Sequence, residues 1–167
     1  SIKEFMKIAV IPDTQCKPGV SLDYLEWIGK YLALKRPDVI VMLGDFTDMS
    51  SLSSYDVGKK SFEGKRYIKD VENCKTAMEM FLAPIARYNF IQRKFKKPTY
   101  NPRKVMLLGN HEYRIDRVVE EDPRLEGTIS VDDLSYKSFG WEVYPFLQQV
   151  VIDGIAFSHY FCSGVMG

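Results

Sequence analysis

Five consecutive apolar residues, Val39-Ile40-Val41-Met42-Leu43, lie between Pro37-Asp38 and Gly44. A strand with one wet face alternates apolar and polar residues, whereas an unbroken β-branched run predicts a strand covered on both faces. Such strands belong to sheets flanked by crossover segments, and the flanking sequence supplies them. Met6 to Ile11 reads as a first strand, stopped by Pro12. A helix is expected from Ser21 as N-cap, with Leu22, Leu25, Ile28, Tyr31 and Leu32 at helical spacing, ending before Pro37. Met49 to Gly64 is rich in Ser, Gly and Lys and reads as a long loop. A helical pattern follows from about Arg66 through Ile85, which Pro84 is expected to kink or divide. Val105 to Leu108 is a third buried strand, and Glu112 to Glu121 a helix that stops before Pro123. Gln149 to Ile152 and Ile155 to Ser158 flank Asp153-Gly154, a strong hairpin signal. The expectation is an α/β protein whose 167 residues form one domain, with no internal repeat or linker.

Composition narrows the surroundings. Hydrophobic residues make up 46% and charged residues 27%, ordinary for a globular protein. A formal net charge of +1 gives no global attraction for nucleic acid or membrane, so any steering must be local. Cys16, Cys74 and Cys162 are odd in number and far apart, which predicts a reducing compartment rather than a disulfide framework. No apolar run is long enough to span a bilayer, and Met6 to Ile11 is too short and wrongly flanked for a secretory signal, so none is expected. A soluble, cytoplasmic protein without a membrane partner is therefore expected.

Three polar clusters each follow directly on an apolar strand: Asp13-Thr14-Gln15, Gly44-Asp45-Phe46-Thr47-Asp48 and Gly109-Asn110-His111-Glu112. Ligands of open α/β sheets bind at the carboxyl ends of strands. Carboxylates, an amide and an imidazole gathered there offer oxygen and nitrogen ligands for divalent ions. Both histidines, His111 and His159, lie just beyond apolar strands. Each piece alone has a blander reading. Asp13 could be a turn residue, Asp48 a cap, and His159 a satisfied core histidine. Gly-Asn-His-Glu is harder to dismiss, because a turn needs Gly and Asn but has no need of His. Taken together, in order after successive strands, the clusters predict a metal site.

Leu43-Gly44-Asp45-Phe46-Thr47-Asp48 resembles the GDxxD motif of calcineurin-like metallophosphoesterases, and Leu108-Gly109-Asn110-His111-Glu112 their GNHE motif. Asp13-Thr14-Gln15 stands where that family has D-x-H, and Ser158-His159 fits a later single-histidine motif. Glu112-Tyr113-Arg114-Ile115 is most similar to phage-encoded members. The resemblance implies an α-β-β-α sandwich and hydrolysis of phosphate mono- or diesters with two divalent metal ions. It implies that Asp13 and Gln15 serve the first ion, Asp45 bridges, and Asn110 and His159 serve the second. His111 would protonate the leaving oxygen, oriented by Asp48, and Arg114 could approach a substrate phosphate. Two ions about 3.5–4 Å apart can clamp the attacking and leaving oxygens and acidify a water.

This sequence departs from the family pattern in two places. Gln15 replaces the motif histidine; a neutral amide is a weaker ligand than imidazole for transition metals but acceptable for Mn²⁺ or Mg²⁺, so Mn²⁺ is expected, bound weakly at the first position, with Mg²⁺, Zn²⁺, Fe or Ni as the alternatives. Cys16 next door reads either as a substitute ligand or as a buried free thiol. The family's terminal G-H-x-H motif does not appear, and the strands are too few for a second sheet, so the sandwich is expected to be incomplete at its C-terminal end and the chain to be a piece of a longer protein.

The substrate is less constrained. Arg93-Lys94-Phe95-Lys96-Lys97, Tyr100 and Arg103-Lys104 interleave cations and aromatics, and Lys59, Lys60, Lys65 and Arg66 add cations in and after the loop. They read either as a nucleic-acid patch or as a solvated helix terminus. Met49-Ser50 stand where the protein serine/threonine phosphatases carry Arg-Gly, which favours a nucleic acid or nucleotide diester over a phosphoprotein. The competing expectation is a non-catalytic scaffold of the same fold, favoured by Gln15 and the missing motif.

Overall fold

The computed structural model describes residues 5–53 and 62–159. Lys59, Lys60 and Cys162, singled out above, lie outside the described residues.

Four parallel strands form the central sheet: β1 (Ile8–Ile11), β2 (Val39–Met42), β3 (Arg103–Leu107) and β4 (Glu142–Tyr144), in the spatial order β1-β2-β3-β4. Helix α1 (Asp23–Lys35) connects the first two strands, α2 (Gly64–Lys94) the next two, and α3 (Asn110–Glu121) lies between β3 and β4. A parallel pair cannot be joined by a tight turn, so each junction needs such a crossover. The register places Val41 opposite Val105 and Met42 opposite Met106.

The period of two along each strand sends alternate residues to opposite faces. On one face Ile40, Met42 and Met106 pack under α1 and α2 with Leu25, Leu32, Met78 and Phe81. On the other, Val39, Val41, Val105 and Leu107 meet Val150, Ile152 and Phe157 of an antiparallel hairpin, β5 (Val150–Ile152) and β6 (Ile155–Phe157). The apolar run of β2, Val39–Met42, is therefore buried on both sides, as expected. The hairpin turns at Asp153 and Gly154, both at positive φ (50° and 77°), as a type I′ turn requires. Of the expected sandwich, the described residues supply one helical layer, the parallel sheet and the start of a second sheet.

Several expectations change. Helix α2 is a single run of 31 residues that continues to Lys94, so of the kink or division expected at Pro84 the division does not occur. Pro84 is buried against α1, where Gly29 leaves room for it: a Cβ on Gly29 would lie 2.2 Å from the Phe81 carbonyl oxygen and 3.0 Å from Pro84 Cγ. The tertiary contact outweighs the lost helical hydrogen bond. Ser21 is not the N-cap of α1; Leu22 holds that position, although Ser21 Oγ accepts the Asp23 N–H at 3.3 Å. Helix α3 begins at Asn110 rather than Glu112. Strand β4 was not anticipated. Three residues within a polar stretch carry no local strand signal, and β4 exists through pairing with β3 and the Arg103–Glu142 ion pair.

Candidate metal centre

The polar clusters leave the same edge of the sheet because their strands run parallel. The first two are joined by backbone bonds that prolong the β1–β2 pairing: Gln15 N–H to Asp45 O (2.8 Å), Cys16 N–H to Phe46 O (2.9 Å) and Asp48 N–H to Cys16 O (2.9 Å). Between the two acids, Phe46 turns inward and is fully buried, edge-on to Phe81 (6.4 Å) and Tyr136 (6.0 Å). That aromatic anchor holds the loop from below while Asp45 and Asp48 face up.

Backbone strain concentrates here. Gln15, Asp45 and Met49 all have φ near +50°, a region that costs a non-glycine residue about 1–3 kcal/mol and gathers at functional sites. Two glycines let the loops touch. A Cβ on Gly109 would lie 2.2 Å from Asp45 Oδ1, and one on Gly44 2.6 Å from the Gly109 nitrogen. The GDxxD and GNHE segments are thus in van der Waals contact along their backbones.

Glu112, fully buried, ties the two segments together. Its Oε1 accepts the N–H groups of Asp45 (2.8 Å) and Gly109 (3.0 Å), and its Oε2 that of Thr47 (3.3 Å). Burial pushes its carboxyl up to about 8, against the pull of the three N–H donors, with the Asp45 charge adding to the rise. In the sequence Glu112 reads as the end of the GNHE motif and the start of a helix, with no role of its own at the site. The available signal was an acid at the third position of a helix, where it reaches back to the N-cap N–H.

Asp45 is at the centre of the site. Its Oδ1 accepts the His111 backbone N–H at 2.8 Å, satisfying an open donor at the start of α3. Its Oδ2 is 3.3 Å from His159 Nε2 and 3.9 Å from His111 Nε2. His159 directs Nδ1 at the Leu43 carbonyl and Nε2 at Asn110 Oδ1 (2.9 Å). A ring that donates from Nδ1 to a backbone carbonyl keeps its Nε2 lone pair for a metal. Ligand atoms of Asp13, Asp45 and His159 all lie within 4.8 Å of one another. Two carboxylates and an imidazole lone pair at that spacing repel until a cation sits among them, so the donor set fits a divalent ion.

The remaining candidates fall around this core. His111 Nδ1 bonds the Asp48 carbonyl (2.7 Å) and lies 3.2 Å from the Asp48 carboxylate. Arg114 Nη1 donates to the same carbonyl at 3.0 Å, which places it beside His111. Gln15 joins through its backbone, and its side chain is exposed. Cys16 is not among the ligands: it is 1% exposed, packed in the helical core beside Cys74. The basic stretch does not reach the site. Arg103 and Lys104 open β3, whose far end carries Gly109, about 20 Å away at a strand's rise per residue. Lys97 N–H closes the end of α2 on the Gln92 carbonyl, and Arg103 forks onto Glu142 at 2.6 and 3.0 Å. A cavity of about 600 Å³ between α2 and the 131–134 turn is lined by none of the candidate ligands.

The family model for calcineurin-like phosphoesterases matches residues 6–164. The chain belongs to the calcineurin-like phosphoesterase family. Its motif resemblances thereby gain a family, and the mixed α/β fold with a parallel sheet is the one expected of it. Comparison with curated proteins gives no significant match. Calcineurin-like phosphoesterases hydrolyse phosphate esters with divalent metals, and this member's acidic and histidine cluster suits such ions. No helix among the described residues is long and apolar enough to cross a membrane.

Proposed function

We propose that this calcineurin-like phosphoesterase, acting as one catalytic unit over the matched residues, hydrolyses phosphate mono- or diesters at a centre of two divalent ions. The observation that carries the reading is the convergence of Asp13, Asp45 and His159 within 4.8 Å, next to a histidine whose Nδ1 is engaged by Asp48. Asp13 and Gln15 would hold one ion, Asn110 and His159 the other, with Asp45 between them; Mn²⁺ suits this oxygen-rich set. When bound, the ions would polarise the phosphoryl oxygens and acidify a water at neutral pH.

The protein's own groups supply the rest. His111 keeps Nδ1–H on Asp48, so Nε2, the nitrogen facing Asp45, is the one from which the doubly protonated ring would pass a proton to the leaving oxygen. Asp48 holds the ring through its carbonyl and its carboxylate together. Arg114, anchored on the same carbonyl, places positive charge beside the position of the phosphate. The distance of the basic stretch from the centre favours a small ester, such as a nucleotide diester, over a long nucleic acid.

Metal analysis and turnover of bis(p-nitrophenyl) phosphate test the reading. Two Mn²⁺ per chain are expected, with turnover that falls about 10²–10⁴-fold in His111→Asn while the metal content is kept. Neither metal nor turnover would instead identify a binding scaffold of the same fold, the reading that Gln15 favours.

A further inference from the structure

A row of rings borders the metal centre. Tyr113 and Phe146 are stacked, with centroids 5.0 Å apart and planes at 24°. Phe146 in turn meets the ring of His159 at 6.1 Å and 52°. Tyr113 lies three residues after Asn110 on α3, hence on the same face of the helix, and Asn110 contacts His159. The inner end of the row is therefore a candidate metal ligand, while Tyr113 and Phe146 remain partly exposed.

The segment that delivers Phe146 leaves the carboxyl end of β4, the same edge of the sheet as the metal ligands. Its next residue, Leu147, sits at φ +72° and is 53% exposed. A bulky residue in the left-handed region is an outlier, and such outliers cluster at ligand clamps. Leu147 is the third residue of a turn closed by the Gln148 N–H on the Pro145 carbonyl at 3.1 Å, a position that takes positive φ and suits glycine or asparagine; burial does not account for a leucine there, because half of it faces water. An aromatic pair and an exposed, strained leucine at the rim of a phosphate-handling centre fit a flat apolar group better than a charged chain.

We propose that Tyr113, Phe146 and Leu147 form the wall that receives a planar aromatic substituent, a nucleobase or an aryl ring, of an ester whose phosphate sits at the metal centre. This rests on the phosphoesterase reading and adds the class of substrate. Any base or aryl ring has a π-face that stacks on an aromatic side chain, so the wall selects for ring shape rather than for sequence. With the basic stretch at the other end of β3, the wall takes a single ring, not a polymer.

The test holds the leaving group constant. The Mn²⁺-loaded full chain is assayed on p-nitrophenyl esters whose retained substituent is methyl, phenyl or thymidine-5′-yl. Wild type is expected to favour a ring-bearing ester over the methyl ester in kcat/KM by about tenfold or more, the size of one stacking contact. A preference for thymidine over phenyl identifies a base, and equal preference any aryl ring. The ratio should collapse toward one in Tyr113→Ala and persist in Tyr113→Phe, with metal content measured in each. Leu147→Gly should raise Tm by releasing the strained φ while lowering the ratio, a pairing that a purely structural role would not give. A wild-type ratio near one, or a ratio unchanged in metal-replete Tyr113→Ala, overturns the wall. If the metal-loaded protein turns over no ester at all, the phosphoesterase reading falls and takes the wall with it; turnover without ring preference sinks the wall alone.

Discussion

Glu112 accepts the backbone N–H of Asp45 at 2.8 Å across 67 residues of sequence, and the same oxygen accepts the N–H of Gly109. One buried side chain therefore sets the separation between the two loops that carry Asp45, Asn110 and His111. Removing it strands three N–H groups, all of them on buried residues, each costing about 1–3 kcal/mol when unpaired.

Glu112→Ala is accordingly expected to lower stability by about 3 kcal/mol or more. Glu112→Gln keeps an acceptor for Asp45 and Gly109 but turns an NH₂ toward Thr47, so about 1 kcal/mol is expected. Urea unfolding of both variants checks the order. Equal, small losses would show that the clamp does not hold the loops.

Gly109→Ala brings a methyl group to 2.2 Å from Asp45 Oδ1, which must move for the side chain to fit. Mn²⁺ affinity should drop roughly tenfold or more, about 1.4 kcal/mol, because the displaced carboxylate is central to the donor set. Calorimetric titration gives the answer, and wild-type affinity in the variant would remove Asp45 from the site.

Gln15→His restores an imidazole at a position whose backbone already bonds Asp45. Mn²⁺ or Zn²⁺ should bind more tightly, by about 1.4 kcal/mol for a tenfold gain. Because bound ligand stabilises the folded state, saturating metal should also raise Tm further in the variant than in wild type. No gain in affinity or in Tm would mean that Gln15 is not directed at an ion.

The Arg103–Glu142 fork joins β3 to the short β4 and should show in acid. The hydrogen bond from Arg103 holds the Glu142 carboxyl below its ordinary range, so the stabilisation is present above the unfolded value and is lost as pH falls through the folded one. Both side chains are 43% exposed, which limits the pair to about 0.5 kcal/mol. Glu142→Gln should be less stable than wild type by that amount at neutral pH, and the difference should shrink toward zero as pH falls through the lowered folded value of the carboxyl, as acid titration of the two unfolding curves would show.

What the sequence disclosed and what it hid follow one physical division. The strand ends were legible because an apolar run that stops at Gly44 or Gly109 marks where the backbone leaves the sheet, and the polar residues just beyond it have only one edge to occupy. Burial of Cys16 was one of two readings open in its neighbourhood. Strand β4 was hidden because its three residues acquire their conformation from β3, some forty positions earlier in the chain. The continuity of α2 through Pro84 was hidden because it depends on an absent side chain, that of Gly29, on another helix. The partners of Glu112 were hidden for the same reason, since no local pattern names Asp45 or Thr47. The row from Tyr113 through Phe146 to His159 joins three segments that only the folded sheet brings together.

The pairing of β2 with β3 also works as a length gauge. Met42 stands opposite Met106, and counting three further along each chain brings Asp45 level with Gly109. A slip of one residue would displace one loop by about 3.3 Å and turn every side chain of that strand to the wrong face. No partly matched pairing can therefore assemble the donor set, and a well-formed centre certifies that the two middle strands have found their correct alignment.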